Sequence, residues 1–186
     1  AEERIRTTPG AMRQWFQGRP VRRIVLEVGA HSPWIDDLLR GLGHEVRVAD
    51  PRTTRMIFES DRKTDRFDAL QLARLGLLHP DLVRPVVHRS RATRAALAVM
   101  RARAALVEVR SGLVNHVRGS VKPWGVRLPA CSTEIFPRRV ADLLPGEIAE
   151  ALRPLLEQIG EISERIEAYD DQVEQMYAHV DNRPSR

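Results

Sequence analysis

Cysteine is nearly missing from this chain, which has Cys131 alone among its 186 residues. A single cysteine excludes an internal disulfide framework and is typical of a protein in a reducing compartment. The chain also lacks any apolar run near the roughly 20 residues needed to span a bilayer, and its first residues do not resemble a signal peptide. We therefore expect a cytoplasmic protein that has no membrane partner.

Aromatic residues are scarce as well, at 5% of the chain, so the core must be built mainly from aliphatic side chains. Hydrophobic residues reach 42% and charged residues 30%, which indicates a globular rather than a disordered protein. The length is sufficient for one domain with a substantial core, or for a small domain with an extended helical appendage. Helical periodicity in the second half favours the small domain with its appendage.

Lysine is rare, so nearly every cation is an arginine, and the net charge of +5 hides a segregation of the two signs. Residues 84–139 contain twelve basic and two acidic residues, whereas residues 140–180 contain ten acidic residues and two arginines. Arginine can hold a phosphate through two hydrogen bonds, so the basic stretch is a candidate nucleic-acid surface; the alternative is an ordinary solvated helix face. The candidate contacts are Arg89, Arg94, Arg101, Arg103, Arg110, Arg118 and Lys122.

A β-α-β-α order is predicted for the first part of the chain. Residues 22–28 and 45–50 have the composition of buried strands, and the first of them ends near the carboxylate of Glu27. Ser32 is the predicted N-cap of the helix between them, residues 8–16 predict a helix before them, and Pro51 is predicted to start another. This order implies parallel strands covered by helices. With so few strands, the sequence is expected to begin inside its domain.

Two long helices are predicted in the second half. Apolar residues of the second helix follow alternating steps of four and three, as in a coiled coil; they are Ile148, Leu152, Leu155, Ile159, Ile162, Ile166, Tyr169, Val173, Met176 and Val180. The first helix has a similar pattern from Ala95 through Val109 to Val117, and a Pro- and Gly-rich loop over residues 122–129 joins the two. We predict an antiparallel hairpin that also dimerises. Pro154 is predicted to kink the second helix or mark its start, and Trp124 to fill the hairpin rather than stack on a base.

Three carboxylates are the candidate chemical groups. Asp65 and Asp68 are three residues apart, so on a helix they share a face, and a pair of oxygen ligands of this kind suits Mg²⁺. Glu27 lies at the carboxyl end of a strand, where open α/β sheets place functional groups. Each also has an ordinary alternative: Asp65 capping its helix, Asp68 complementing the helix dipole, and Glu27 pairing with an arginine.

A series of short motifs extends across the chain. They are Leu26-Glu27, His31-Ser32-Pro33-Trp34, Leu42-Gly43-His44-Glu45-Val46, Ala49-Asp50-Pro51-Arg52, Arg62-Lys63-Thr64-Asp65-Arg66-Phe67-Asp68-Ala69, His88-Arg89-Ser90, Val117-Arg118-Gly119 and Leu128-Pro129. In these motifs the chain resembles the DEDD transposases of bacterial insertion sequences, the IS110 family. The resemblance implies a ribonuclease-H-like (RuvC-like) domain whose Asp-Glu-Asp-Asp tetrad binds Mg²⁺ for DNA strand cleavage and exchange. Glu27, Asp65 and Asp68 match the second, third and fourth members of that tetrad.

The resemblance also implies partners, namely DNA, a structured guide (bridge) RNA and other copies of the chain. The first tetrad aspartate and the serine nucleophile of the family have no match here, so we expect a partial transposase that is inactive alone. The expected architecture is α/β: a partial RuvC-like domain over residues 1–84, then a basic helix, a loop and an acidic coiled-coil arm over residues 85–186. Two alternatives are a resolvase-like or exonuclease-like Mg²⁺ nuclease that uses water, and a non-catalytic RNA-binding dimerisation fragment.

Overall fold

The computed structural model of the protein describes residues 3–50, 65–79, 83 and 85–181. The described residues fall into two compact units, residues 1–88 and residues 89–186. The elements of the first unit are α1 (Pro9–Phe16), β1 (Arg23–Glu27), α2 (Ser32–Gly41), β2 (Glu45–Ala49) and α3 (Asp65–Leu78). The helix predicted to start at Pro51 lies outside the described residues.

The two strands pair in parallel, with Arg23 opposite Glu45 and Glu27 opposite Ala49. On the other side of β2, the N–H of Val86 donates to the carbonyl of Val48 at 2.8 Å, and Ala49 forms an isolated antiparallel bridge with Pro85. The predicted β-α-β order and the parallel pairing are therefore confirmed.

The first two helices begin differently, and a polar side chain lies at the start of each. The Thr8 hydroxyl accepts a hydrogen bond from the N–H of Ala11 at 3.3 Å, which caps α1 ahead of Pro9. The prediction that Ser32 caps α2 is wrong, because α2 already begins at Ser32 and the cap position has no side-chain hydrogen bond. The Ser32 hydroxyl instead accepts from the N–H of Gly29 at 3.1 Å and donates to its carbonyl at 2.9 Å. It thereby closes the turn between β1 and α2.

Helices pack on both faces of the small sheet. One core cluster joins Ile35 and Leu39 of α2 to Val46 and Val48, with Ile24 and Leu26 packed against it. A second cluster joins Leu75 of α3 to Ala49 and Val83, with Val25 packed against it. Successive side chains of a strand point to opposite faces, so α2 and α3 cover opposite sides of the sheet.

The second unit contains an antiparallel helical hairpin. Its elements are α4 (Arg91–Ser120), a 3₁₀ turn (Lys122–Trp124), α5 (Phe136–Val140), a second 3₁₀ turn (Ala141–Leu143) and α6 (Gly146–Asp181). Arg103 pairs with Asp170, and Arg110, one helical heptad later, hydrogen-bonds Ser163, one heptad earlier in α6. The two helices therefore run in opposite directions, as the predicted hairpin requires. The finer prediction of coiled-coil packing stays a prediction.

The heptad pattern places the buried face of α6 well and that of α4 poorly. Leu152, Ile159, Ile162 and Ile166 are buried as expected, while Leu156 takes the buried place expected for Leu155. In α4 the expectation for Val109 is wrong, since its side chain is 51% exposed and Arg110 is buried. The core is formed by Val114, Val117 and Val121. Val117 is buried as predicted, whereas Val114 is buried in place of Leu113.

Two further expectations about the hairpin are corrected. Pro154 lies inside α6, which continues from Gly146 to Asp181, so Pro154 does not mark the start of the helix. The alternative, that Pro154 kinks the helix, stays a prediction. Trp124 is 45% exposed and does not fill the hairpin. Phe136, Val121 and Val140, all fully buried, fill the tip instead.

Candidate functional site

Strand β1 places Glu27 on the same face of the sheet as α3. Arg23 and Val25 both contact α3 at Gly76, and Glu27 follows them in the two-residue repeat of a strand. Glu27 is exposed at the last position of β1, opposite Ala49. Its carboxylate is therefore available to a ligand at the carboxyl edge of the sheet.

Helix α3 carries the other two predicted acids in its first turn. The helix begins at Asp65, and Asp68 is exposed on it. Gly76 allows α3 to approach the sheet closely, because a Cβ built there would overlap Val25 Cγ2 and would lie 3.6 Å from Val25 Cβ. The predicted helical placement of the Asp65-Asp68 pair agrees with these bounds, while the Asp65 side chain lies outside the described residues.

Arg23 holds the elements of this unit together. Its Nε donates to Glu45 Oε2 at 2.9 Å, and its Nη1 donates to the carbonyl of Gly76 at 3.3 Å. The hydrogen bond from Arg23, with help from Arg47, keeps the pKa of the Glu45 carboxyl below its usual value. One guanidinium thus links β1, β2 and α3, which fixes the helix relative to the strand that ends in Glu27.

The donor chemistry of the two described acids fits a hard cation, because Glu27 and Asp68 have exposed carboxylate oxygens and Mg²⁺ prefers oxygen ligands. Among the described side chains, no group of three or more His, Cys, Asp or Glu residues is gathered closely enough to hold a metal ion. The Asp65 side chain falls outside that search, so convergence of Glu27, Asp65 and Asp68 stays a prediction.

Three of the seven predicted nucleic-acid contacts are engaged inside the second unit. Arg118 donates to the carbonyls of Leu128 at 3.2 Å and Pro129 at 2.9 Å, and its guanidinium lies 4.8 Å from the ring centroid of Phe136. Arg103 and Arg110 are paired with acids. These contacts give Arg103, Arg110 and Arg118 a role in holding the hairpin together.

The pair of Arg103 with Asp170 joins α4 to α6. Both guanidinium nitrogens Nε and Nη2 bond the carboxylate, the latter at 3.1 Å. The hydrogen bond to Arg103 lowers the pKa of Asp170, and the same contact raises the pKa of Arg103. Each partner therefore favours the charged form of the other.

The four other predicted contacts are placed differently. Arg89, Arg101 and Lys122 are exposed, whereas Arg94 is half-buried and interacts within the chain. Four further arginines that do not belong to the predicted set of contacts are also exposed, namely Arg91, Arg127, Arg138 and Arg139. The sequence does contain a signal for the helix that carries Arg138 and Arg139. They directly follow Phe136 and Pro137, and a proline of this kind is typical of the first turn of a helix.

None of the helices in the described part of the chain is long and apolar enough to cross a membrane.

Comparisons with known proteins agree with the motif series. Residues 2–123 match the IS110 family of DEDD transposases, described as "Transposase". A curated relative from Pseudomonas aeruginosa, "Probable family 20 transposase", is 28% identical over 177 residues, covering 91% of this chain and 50% of the relative. The chain thus spans about half the length of that relative, and no solved structure matches. Because the family match covers most of the chain, the protein belongs to the IS110 family of DEDD transposases.

Proposed function

We propose that the protein contributes the carboxylate site and a nucleic-acid-binding hairpin to a DNA transposase that cleaves and exchanges strands. Family membership supports the reaction class. Since the chain spans half of its curated relative, the reaction is proposed for the whole protein and not for this chain alone. The main observation in support of the carboxylate site is that Glu27 lies on the face of the sheet that α3 covers.

The contact between α3 and β1 supports a shared site for Glu27 and Asp68. The last turns of α3 contact the beginning and middle of β1, through Gly76 with Arg23 and Val25. We propose that α3 runs antiparallel to β1, so that its first turn lies toward the carboxyl end of the strand. Asp68 lies eight residues before Gly76, about 12 Å along the helix axis, and Glu27 lies two residues after Val25, about 7 Å along the strand.

We propose that Glu27, Asp65 and Asp68 hold Mg²⁺ at this edge. The ion, when bound, would stabilise negative charge on a phosphodiester. The chain's own contribution is position: β1 and its pairing with β2 fix Glu27, and the contacts of Arg23 and Val25 with Gly76 fix the helix that carries Asp68. Both carboxylates are exposed, so substrate can reach them without unfolding.

We propose that guide RNA and DNA bind the second unit through its exposed cations. Arg89, Arg101 and Lys122 are the members of the predicted set whose exposure suits phosphate contact. The exposed Arg91, Arg127, Arg138 and Arg139 extend that set. Arg103, Arg110 and Arg118 then contribute indirectly, by keeping the hairpin folded.

Calorimetric titration with Mg²⁺ and Mn²⁺ tests the carboxylate site. Glu27→Gln and Asp68→Asn should each weaken binding at least tenfold, because each removes a charged oxygen ligand. Asp142→Asn, an exposed acid of the other unit, is the matched control and should leave binding unchanged. Equal binding by the wild type and both site variants would show that these acids are not ligands.

A cleavage assay separates the transposase from the nuclease alternative. We expect the chain alone to leave DNA intact in Mg²⁺, since the proposed reaction belongs to the whole protein. Robust Mg²⁺-dependent cleavage that Asp68→Asn abolishes would favour a nuclease that uses water as its nucleophile.

A further inference from the structure

Trp124 differs from the other tryptophans because its ring is unused within the described chain. The guanidinium of Arg19 lies 3.9 Å from the ring centroid of Trp15, and Trp34 donates its Nε1 proton to His31 Nδ1 at 3.1 Å. Among the described residues, Trp124 has neither a ring or cation partner nor a hydrogen bond from its indole, and it is 45% exposed. The exposed part of its indole is therefore open to a partner.

The backbone beneath Trp124 is nevertheless firmly held. The carbonyl of Val121 accepts hydrogen bonds from the N–H groups of Trp124 at 3.1 Å and Val126 at 3.4 Å. Gly125, with φ of +71°, allows the 3₁₀ turn to close, and Val121 is fully buried in the tip core. The backbone that carries the ring therefore loses little conformational entropy when a partner binds.

The tip of the hairpin is complete without this ring. Arg118 anchors the segment after the turn through the carbonyls of Leu128 and Pro129. Phe136 and Val140, both fully buried, close the core beside it. Internal packing thus gives no reason for a tryptophan at position 124.

The charge around Trp124 selects the kind of partner. Lys122 and Arg127, on either side of it in the sequence, are exposed cations. The acid of the neighbouring loop, Glu134, is paired with Arg110. A partner that offers a flat ring together with negative charge fits this surface, and an unpaired base on a phosphate backbone has both features.

We infer that the hairpin tip, defined as Lys122, Trp124 and Arg127, binds single-stranded nucleic acid. Trp124 stacks on an unpaired base while the two cations contact the flanking phosphates. A base within a duplex is covered by its neighbours, so the site distinguishes unpaired from paired segments. This inference rests on the proposed nucleic-acid function of the second unit and adds the structural class of its target.

Fluorescence anisotropy with the whole chain tests the inference. The probes are labelled oligothymidine, oligouridine and a blunt duplex of the same length; the first two show whether DNA or RNA is preferred. Trp124→Ala should weaken single-strand binding about tenfold, the loss expected for one stacked base, and leave duplex binding unchanged. Trp124→Phe should retain most of the affinity, and Ile135→Ala, which alters another exposed apolar residue of this unit, should retain all of it.

Salt dependence distinguishes stacking from charge. Trp124→Ala should leave the slope of log affinity against log salt unchanged, because stacking releases no counterions, while Lys122→Gln and Arg127→Gln should each flatten it. Equal single-strand affinity of Trp124→Ala and wild type overturns the inference. A loss shared by the duplex, or accompanied by a lower melting temperature, overturns it too. A wild type that binds none of the probes contradicts the proposed nucleic-acid function itself.

Discussion

Arg110 Nη2 and Glu134 Oε1 lie 2.9 Å apart, so a guanidinium in the middle of α4 is joined to the loop that precedes α5. The Arg110 side chain is only 8% exposed, whereas that of Glu134 is 56% exposed. Arg110 Nη1 also donates to Ser163 Oγ of α6 at 3.1 Å. One buried cation therefore connects three segments of the hairpin.

Removing the acid of this pair should destabilise the hairpin more than replacing the base. Glu134→Ala leaves the buried guanidinium of Arg110 without its paired carboxylate. The variant should lower the free energy of unfolding by about 1 kcal/mol, a small loss for a buried cation because Glu134 is half in solvent. Arg110→Met replaces the cation by an apolar side chain of similar length and should be close to neutral. Urea unfolding measures both changes, with Asp142→Ala as the exposed control. The opposite ranking would contradict this account.

Acid stability should depend on the same glutamate. Hydrogen bonds from the Ser132 hydroxyl, the Glu134 backbone N–H and the Thr133 hydroxyl, with the nearby charge of Arg110, lower the pKa of Glu134 to about 2. Because the folded value is depressed, the carboxylate stabilises the fold above its ordinary pKa of 4.5, and this contribution is lost as the pH falls toward 2. Melting temperatures of wild type and Glu134→Gln should therefore converge between pH 4.5 and 2. Parallel curves would show no such linkage.

Gly76 should resist substitution although it lies within a helix. Alanine normally stabilises a helix by up to about 1 kcal/mol relative to glycine. At Gly76 the added Cβ overlaps Val25, a stiff β-branched residue, so Gly76→Ala should destabilise the first unit by about 1–3 kcal/mol. Gly112→Ala in α4 is the matched control, because nothing lies within 4 Å of its Cβ position. Chemical denaturation followed by circular dichroism compares them, and equal stabilisation by both variants would disprove the close approach.

The features predicted best from the sequence are those that depend mainly on residues close to one another in the chain. The strands of the sheet, their parallel order and the helix over residues 8–16 follow from composition, β-α-β connectivity and proline placement. Ser32 was misassigned because its hydroxyl has two possible backbone partners, the helix N-terminus and the preceding turn, and the turn is used. Such a choice depends on the loop path and is not encoded in spacing.

Side-chain roles in α4 were harder to predict for a physical reason. An alanine-rich helix offers little contrast between its faces, so a shift of one residue that buries Arg110 in place of Val109 is invisible in the heptad pattern. Likewise the sequence does not distinguish an arginine that binds phosphate from one that pairs with Glu134 or Asp170. The resemblance supplied the family and the three carboxylates, whereas the contact of Gly76 with β1, the strand that ends in Glu27, is visible only in the structure.

Salt dependence should separate the arginines of α4. Arg101 is exposed, so Arg101→Gln should reduce the salt slope of nucleic-acid binding by roughly one phosphate contact. Arg103→Gln, two residues along, breaks the pair with Asp170 and should leave the slope unchanged while lowering the melting temperature. Electrophoretic mobility shifts at several salt concentrations measure the slope. A flatter slope for Arg103→Gln alone would place the phosphate contact there instead.

Self-association is expected at an open groove of the hairpin rather than along the apolar seam of α6. The buried seam of α6 is covered within the chain, since Ile159 is fully buried and Ile162 and Ile166 nearly so. An apolar groove of about 460 Å³ remains open on the hairpin; it is lined by Ala102, Leu106, Arg165, Ala168, Tyr169 and Gln172. Because α4 is basic and α6 acidic, a second hairpin packed antiparallel would place opposite charges beside each other at this groove.

We therefore expect Leu106→Glu and Tyr169→Glu to abolish a dimer while leaving the chain folded, because both residues line the open groove and neither is fully buried. Ile159→Asp should instead unfold the hairpin, since it buries a charge in the shared core. Sedimentation equilibrium with circular dichroism on each variant distinguishes these effects. A wild type that stays monomeric at high concentration refutes the dimer. If the dimer survives both groove variants, its contact lies on another surface, such as the face of α4 with the exposed Val109.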